Sequence, residues 1–242
     1  MKNPKFSIVI PCYNEAKSLQ SLIDEASKIA IEQDCEFILV DNGSTDSTLE
    51  ILSECAAKNI RWVTTPKNLG YGGGILFGLK NCNSEIMGWT HADLQTPLAD
   101  VVNAASAIGV DKGFVKGRRM KRPLFDNFFT IGMSVLESIL FRTRLFDINA
   151  QPTVFRKDFY NSWCNPPLDF SIDLYALVNA KKANVGIGRI KVQFHRRKYG
   201  NSSWNTGINS RWKFIRRTIS YSLVLRKQLL HANYSASHKL ER

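Results

Sequence analysis

FSIVIPCYNEAKSLQSLIDEASKIAIEQDCEFILVDNGSTDS, residues 6–47, decides the architecture. Phe6–Ile10 and Glu36–Val40 are short apolar runs, rich in β-branched residues and bounded by turn formers, the pattern of strands buried on both faces. Between them, within Lys17–Ile31, Leu19, Leu22, Ile23, Ala26, Ile29 and Ala30 recur at helical spacing. Strand, helix and strand in this order make a parallel unit with a right-handed crossover.

The alternation continues downstream. Ser47–Ala57 predicts a helix opened by the Ser44, Thr45, Asp46 cluster, Ile60–Thr64 a strand, Gly72–Asn81 a helix, Ile86–Thr90 a strand and Asp100–Ile108 a helix. The expected class is α/β, a mostly parallel, doubly wound Rossmann-like sheet flanked by helices. Ligands of such sheets bind beyond the carboxyl ends of the strands. Three polar stretches fall there: PCYNEA (11–16), DNGSTDS (41–47) and HADLQTP (91–97).

The second half has a different character. Lys112, Lys116, Arg118, Arg119, Lys121 and Arg122 crowd one segment without an acid among them. An aromatic-rich helix is expected over Phe125–Phe141, strands over Phe155–Asp158 and Arg189–Arg197, and a helix over Ser171–Lys182. Ile208–Leu230 contains neither Gly nor Pro and sets Ile208, Trp212, Ile215, Ile219, Leu223 and Leu230 on one helical face. Arg211, Lys213, Arg216, Arg217, Arg226 and Lys227 fill the other faces. The expected division is an α/β domain over residues 1–204 and a basic amphipathic C-terminal helix and tail over 205–242.

Charge follows the same division. Of 33 basic and 21 acidic residues in 242, the first 110 positions hold 8 and 13, leaving 25 and 8 for the remainder and a net charge of +12 overall. Such a surface attracts polyanions, whether phosphates, anionic lipid or nucleic acid. With 44% hydrophobic residues the chain can bury a full core, which excludes disordered and fibrous classes. Five cysteines without a CxxC pair, behind an N-terminus that carries no secretory signal, lead to the expectation of a reduced, cytoplasmic compartment. The longest apolar stretches are interrupted by Asp126 and Glu137, or by Arg216, Arg217, Arg226 and Lys227, so the expectation at a membrane is peripheral association with its inner face.

The strand-end motifs carry chemistry. A nucleoside diphosphate is held by a carboxylate on base or ribose hydroxyls, by a glycine that lets the backbone close on it, and by a carboxylate-bound divalent cation across the diphosphate. Asp41, Gly43 and Asp93 are those residue types at strand ends. An Asp-Asn-Gly turn alone is commonly only a turn; its coincidence with the other strand-end motifs is what points to a nucleotide.

SIVIPCYNEA, ILVDNGSTDST, NLGYGGGI and the ADLQTP core resemble glycosyltransferase family 2, whose fold is GT-A. The ADLQ-P element and the later RKYGNSS are most similar to its polyprenyl-phosphate branch, of the dolichol-phosphate mannose synthase type. The resemblance covers about residues 6–204 and is strongest in the first hundred. It implies inverting, metal-dependent transfer of a sugar from a UDP or GDP donor, with Mg²⁺ or Mn²⁺, to a lipid-linked acceptor, polyprenyl phosphate first. It further implies that Pro11, Tyr13, Glu15, Asp41, Gly43 and Ala92 surround the nucleotide, that Gly70 and Gly72 shape the adjoining loop, and that Asp93 with Gln95 binds the metal.

This chain departs from the family pattern in places. The family writes Asp-Ala-Asp-Leu-Gln where this chain has His91 in the first position, so His91 either ligates the cation or hydrogen-bonds a diphosphate oxygen or a water. Gly117-Arg118-Arg119 resembles Gly-Ser-Arg, which aligns Arg119 with the arginine that faces the acceptor phosphate and sets Arg118 beside it. Arg197 and Ser202 resemble the ends of an Arg-x-x-Gly-x-Ser loop near the same phosphates. Ala150-Gln151-Pro152-Thr153 stands where Ser-Gly-Phe-Arg is common, and Gln151 either lines the acceptor pocket or belongs to a plain turn.

Charge also separates two mechanisms. A phosphate acceptor is already anionic at neutral pH and attacks without a general base, whereas a sugar hydroxyl needs one. Asp173 is the candidate base, with Asp169 second; either is equally placed to be a capping or solvated carboxylate. The rival readings are a transferase acting on saccharide hydroxyls with Asp173 as base, and a non-catalytic binder of nucleotide-sugar or nucleic acid. No nucleic-acid module signature is present, so no nucleic acid partner is expected.

Overall fold

Two successive apolar strands buried on both faces need a helix on each side, and that requirement organises the sheet. The computed structural model describes residues 4–120, 124–193, 195 and 215–229, with the backbone alone for 124–130. In chain order the elements are β1 (Ser7–Cys12), α1 (Ala16–Gln33), β2 (Glu36–Asp41), α2 (Thr48–Ser53), β3 (Ile60–Thr64), α3 (Gly70–Lys80) and β4 (Ile86–Trp89). They continue as α4 (Ala99–Ser106), β5 (Phe114–Met120), α5 (Leu124–Phe141), β6 (Thr153–Arg156), α6 (Lys157–Asn161), α7 (Ile172–Lys182) and β7 (Ile187–Gln193), and residues 215–229 are helical.

The seven strands form one sheet in the order β3-β2-β1-β4-β6-β5-β7. β1 to β4 are mutually parallel, β6 runs antiparallel between β4 and β5, and β7 is parallel to β5. On one face Ile8, Ile10, Phe37 and Leu39 pack against Leu19, Leu22 and Ala26 of α1 and Val101 and Ala104 of α4. On the other, α3 settles closely on β1 and β2 at Gly78, where a side chain would collide with Val9 and Val40. Each buried leucine or isoleucine of this core contributes about 1.5–3 kcal/mol relative to an exposed one.

The mostly parallel α/β sheet agrees with the sequence expectation, and its second half corrects two details. The basic segment, for which no element was expected, forms strand β5, whose first four residues, Lys116 included, are buried. A strand was expected over Phe155–Asp158, yet β6 ends at Arg156 and the chain turns directly into α6. The reason is register: Arg156 and Phe155 pair with Ile86 and Phe114, the first residues of the flanking strands, so the ladder has no further partners.

The described residues group into two compact units, those within Met1–Pro123 and Asn149–Gly200, and those within Leu124–Ile148 and Asn201–Arg242. The first contains the whole sheet. In the second, α5 meets the helical residues 215–229, and the Ser222 hydroxyl donates to the buried Glu137 carboxyl at 2.7 Å. Burial raises the Glu137 pKa. Ser222 and Leu225 face inward while Leu223, expected on that face, is 53% exposed, because the buried carboxyl takes Ser222 as its partner. Ile208, Trp212 and Leu230 lie outside the described residues. Among the described residues no helix is long and apolar enough to cross a membrane.

Gly43 sits at φ +69°, and a Cβ there would strike the backbone of Lys67. Gly43→Ala is expected to destabilise the protein by about 1–3 kcal/mol, read as a lowered denaturation midpoint. An unchanged midpoint would mean that this turn is not fixed as described.

Candidate functional site

The parallel register brings the carboxyl ends of β1, β2 and β3 into line, with Cys12 opposite Asp41 and Asp41 opposite Thr64. Asp41 closes β2 at 2% exposure, its carboxylate accepting the Ser44 N–H at 3.0 Å and the Thr64 hydroxyl at 2.8 Å. Asn42 fastens the next loop, accepting the Leu69 N–H at 3.1 Å and donating to the Gly70 carbonyl at 2.9 Å. Gly70, at φ +80°, opens α3, and a side chain at Gly72 would meet the carbonyls of Pro167 and Asp169.

The 11–16 loop is tied to the 41–47 loop. Asn14 receives the Thr45 N–H at 2.8 Å and gives its own N–H to Ser44, while the Glu15 N–H donates to Thr48. Asp46 binds these loops again through Ala16 and Thr48. Burial alone would raise its pKa, but the hydrogen bonds from Thr48 and Ala16 hold it below the usual carboxylate value. Pro11 lies within β1, Glu15 precedes α1 with its carboxylate accepting the Ser18 hydroxyl, and Tyr13 is 45% exposed. The structure thus brings the residues expected around a nucleotide on β1 and β2 to one edge.

β4 ends beside them. Ala92 and Asp93 are buried, and the Asp93 carboxylate accepts the Gln95 N–H at 3.2 Å. The Gln95 side-chain amide donates to the His195 carbonyl at 3.0 Å, and the Gln95 backbone carbonyl accepts the His195 N–H at 2.8 Å. His91 places Nε2 3.0 Å from the Tyr71 hydroxyl. Burial lowers the imidazole pKa, opposed by the carboxylates of Asp93 and Asp173, and it raises that of Tyr71. Among the described residues no three His, Cys, Asp or Glu side chains converge on a metal cage. One buried carboxylate at this edge fits a hard cation only if the remaining oxygens come from a ligand and water.

Behind His91 lies a network that sequence reasoning did not assemble. Lys116, fully buried on β5, donates to Asp173 Oδ1 and to the Thr153 hydroxyl, both at 2.6 Å. Register explains the second contact, since Lys116 pairs with Thr153 across the β5–β6 ladder. Gln151 Nε2 lies 3.1 Å from Asp173 Oδ1 and 3.2 Å from the Tyr71 hydroxyl. Tyr71 stacks on Phe170 with ring centroids 4.6 Å apart. Burial pushes the Lys116 ammonium down to about 8, opposed by the neighbouring Asp173 carboxylate. The sequence held one clue: Lys116 follows Phe114 and Val115 in a run that otherwise reads as a strand.

The remaining expected residues fall as follows. Arg118 is exposed and Arg119 half-buried toward the end of β5. Asp169 accepts the Ser171 N–H at 2.8 Å at the start of α7, the geometry of a capping carboxylate. Asp173 is buried on α7 within the network rather than solvated. Arg197 and Ser202 lie outside the described residues.

Comparison with known proteins places these features. The model of "Glycosyl transferase family 2" matches residues 7–175. The undecaprenyl-phosphate 4-deoxy-4-formamido-L-arabinose transferase of Proteus mirabilis is 31% identical over 123 residues, 49% of this chain and 38% of that protein. Its counterpart in Yersinia enterocolitica is 36% identical over 110 residues, 43% of this chain and 34% of that protein. The matched stretches therefore span well under half of these relatives. Among solved structures, glucosyl-3-phosphoglycerate synthase from Mycobacterium tuberculosis in complex with UDP is similar in fold, with a TM-score of 0.72 at 18% identity over 93% of this chain and 80% of that one.

Removing one member of a buried ion pair leaves the other charge uncompensated. Lys116→Met is expected to cost about 3–5 kcal/mol in chemical denaturation, and Lys116→Met with Asp173→Leu to recover most of it. A single variant as stable as the parent would contradict the pairing.

Proposed function

The chain belongs to glycosyl transferase family 2, and from that membership we propose that it transfers a sugar from a nucleoside diphosphate to the phosphate of a polyprenyl-type membrane lipid. The curated relatives described above act on undecaprenyl phosphate by name. The observation that carries the choice of acceptor is the state of Asp173. Its Oδ1 is taken by Lys116 and Gln151 in a site closed to water, so it is poorly placed to accept a proton from a sugar hydroxyl. A phosphate acceptor needs no such base, because it arrives as the nucleophilic anion.

In this reading Asp41 and Gly43 hold the nucleoside, with Pro11, Tyr13, Glu15, Gly70 and Ala92 around it. Asp93 holds a divalent cation, Mg²⁺ or Mn²⁺, with Gln95 beside it. When bound there, the cation neutralises the charge that builds on the departing diphosphate. Arg118 and Arg119 on β5 orient the acceptor phosphate, Arg119 by bidentate contact, and Arg197 and Ser202 are assigned to the same phosphates. An oxygen of the acceptor phosphate forms a bond to the anomeric carbon from the face opposite the leaving group. The bond from that carbon to the β-phosphate oxygen breaks, and its electron pair leaves with the nucleoside diphosphate. One displacement of this kind inverts the anomeric centre.

Peripheral binding to the inner membrane face fits the second unit. Ile131, Val135, Leu136 and Ile139 on α5 and Phe146 after it are exposed, with Arg142 and Arg144 alongside. Arg216, Arg217 and Lys227 are exposed on the helical residues 215–229. Each basic side chain near an anionic leaflet contributes on the order of 1 kcal/mol.

Purified protein given a panel of UDP- and GDP-sugars is expected to release nucleoside diphosphate only with a divalent cation and undecaprenyl or dolichyl phosphate, yielding a lipid-phosphate sugar. Turnover with saccharide acceptors alone would overturn the acceptor assignment. Asp93→Ala is expected to lower kcat by about 100-fold or more; near-normal turnover would remove Asp93 from the cation site.

A further inference from the structure

Strand order lays a direction across the edge that carries Asp41 and Asp93. In the run β2-β1-β4-β6, Asp41 closes β2, Asp93 follows β4 and Gln151 precedes β6. Because β6 is antiparallel to β4, the residues before β6 share this edge with the residues after β4. Neighbouring strands lie about 4.8 Å apart, so Asp41 is separated from the β6 end of the edge by roughly 10–15 Å. A donor with its nucleoside at Asp41 and its diphosphate at Asp93 carries its sugar onward, toward β6. Tyr71 stands at that end, its hydroxyl 3.0 Å from His91 Nε2 and 3.2 Å from Gln151 Nε2. Its ring stacks on Phe170, with centroids 4.6 Å apart and planes inclined by 12°.

The backbone around Phe170 is pinned on both sides. The Gly73 N–H of α3 donates to the Leu168 carbonyl at 3.0 Å, while Asp169 receives the Ser171 N–H at the start of α7. Gly70 and Gly72 let this loop approach, since a side chain on either would strike the carbonyls of Leu168, Pro167 or Asp169. The Phe170 ring nevertheless stays 36% exposed and Leu168 58% exposed. A single exposed hydrophobe is ordinary on a protein surface. Phe170 differs in being ordered by backbone and ring contacts, with its stacking partner joined to the polar groups of His91 and Gln151. Such a combination suits a sugar, whose ring offers an apolar face of C–H groups to an aromatic side chain and hydroxyls to polar neighbours.

We propose that Phe170, backed by Tyr71 and flanked by Leu168, is a specificity-determining residue that stacks against the ring of the donor sugar. The inference rests on the function proposed above and supplies its sugar subsite. Stacking of this kind acts on the sugar half of the donor and leaves the nucleoside diphosphate half untouched.

Isothermal titration calorimetry of the full chain with Mn²⁺ tests this, with UDP and GDP set against a panel of UDP- and GDP-sugars. Phe170→Ala is expected to weaken the best-bound sugar nucleotide by about five- to tenfold. Its affinity for the matching nucleoside diphosphate is expected to change by less than about twofold, with the denaturation midpoint near that of the parent. Phe170→Tyr keeps the ring and is expected to restore sugar-nucleotide binding to within about twofold. Phe170→Leu, which keeps apolar bulk without a ring face, carries the same expectation as Phe170→Ala and replaces it if the alanine variant fails to fold. Equal losses for nucleotide and sugar nucleotide, or no loss for either, would overturn the proposal while leaving the transferase reading in place. A parent chain that binds none of these nucleotides would overturn the proposed function, and this inference with it.

Discussion

Parallel pairing of β1 with β2 and β4 is the constraint from which the rest follows. Because every crossover helix must return the chain to the same starting edge, the carboxyl ends of these strands come out together. Cys12 meets Asp41 across one ladder, and Thr90 follows β4 and donates its N–H to Val9 on β1. Three loops far apart in sequence therefore share one edge. Their side chains spend themselves on one another: Asn14 on Thr45, Asp46 on Ala16 and Thr48, Asn42 on the start of α3. The cost of ordering these loops is met within the protein itself, which is the meaning of preorganisation here.

The Lys116–Asp173 pair does a different job. Buried ion pairs seldom stabilise a protein more than apolar residues of the same volume would, because both charges lose water. A pair at 0% and 3% side-chain exposure, in the middle of a sheet, is therefore poorly explained by stability. Direction explains it better. A buried carboxylate takes the amide of Gln151, that amide reaches the phenol of Tyr71, and the phenol meets the imidazole of His91 after β4. The same burial that makes the pair expensive keeps water from offering these groups alternative partners.

Much of this was legible in the sequence. Strict alternation of apolar strands and amphipathic helices gave the parallel half, and the strand-end rule pointed to residues 11–16, 41–47 and 91–97 before any coordinates. β5 was less legible because a run of basic residues masks its apolar start, and the contact of Lys116 with Asp173, 57 positions away, is not encoded in local patterning. Gln151 and Tyr71 were invisible as partners for a similar reason: 80 positions separate them, and their contact depends on a register that local patterning does not encode. The amphipathic stripe of the C-terminal helix was misplaced at Leu223, since hydrophobic periodicity gives no weight to a serine that serves a buried glutamate. Pairing of the two basic arginines on β5 with an acceptor phosphate came from resemblance, and the exposed position of Arg118 is compatible with it.

The central claim is that the β1, β2 and β4 edge binds a nucleoside diphosphate through Asp41, Asp93 and His91. A crystal structure of the protein with UDP or GDP and Mn²⁺ tests it most directly. The account requires the nucleoside against Asp41 and the cation between Asp93 and the diphosphate, with His91 beside them. A nucleotide bound elsewhere, or Mn²⁺ bound away from Asp93, would contradict it.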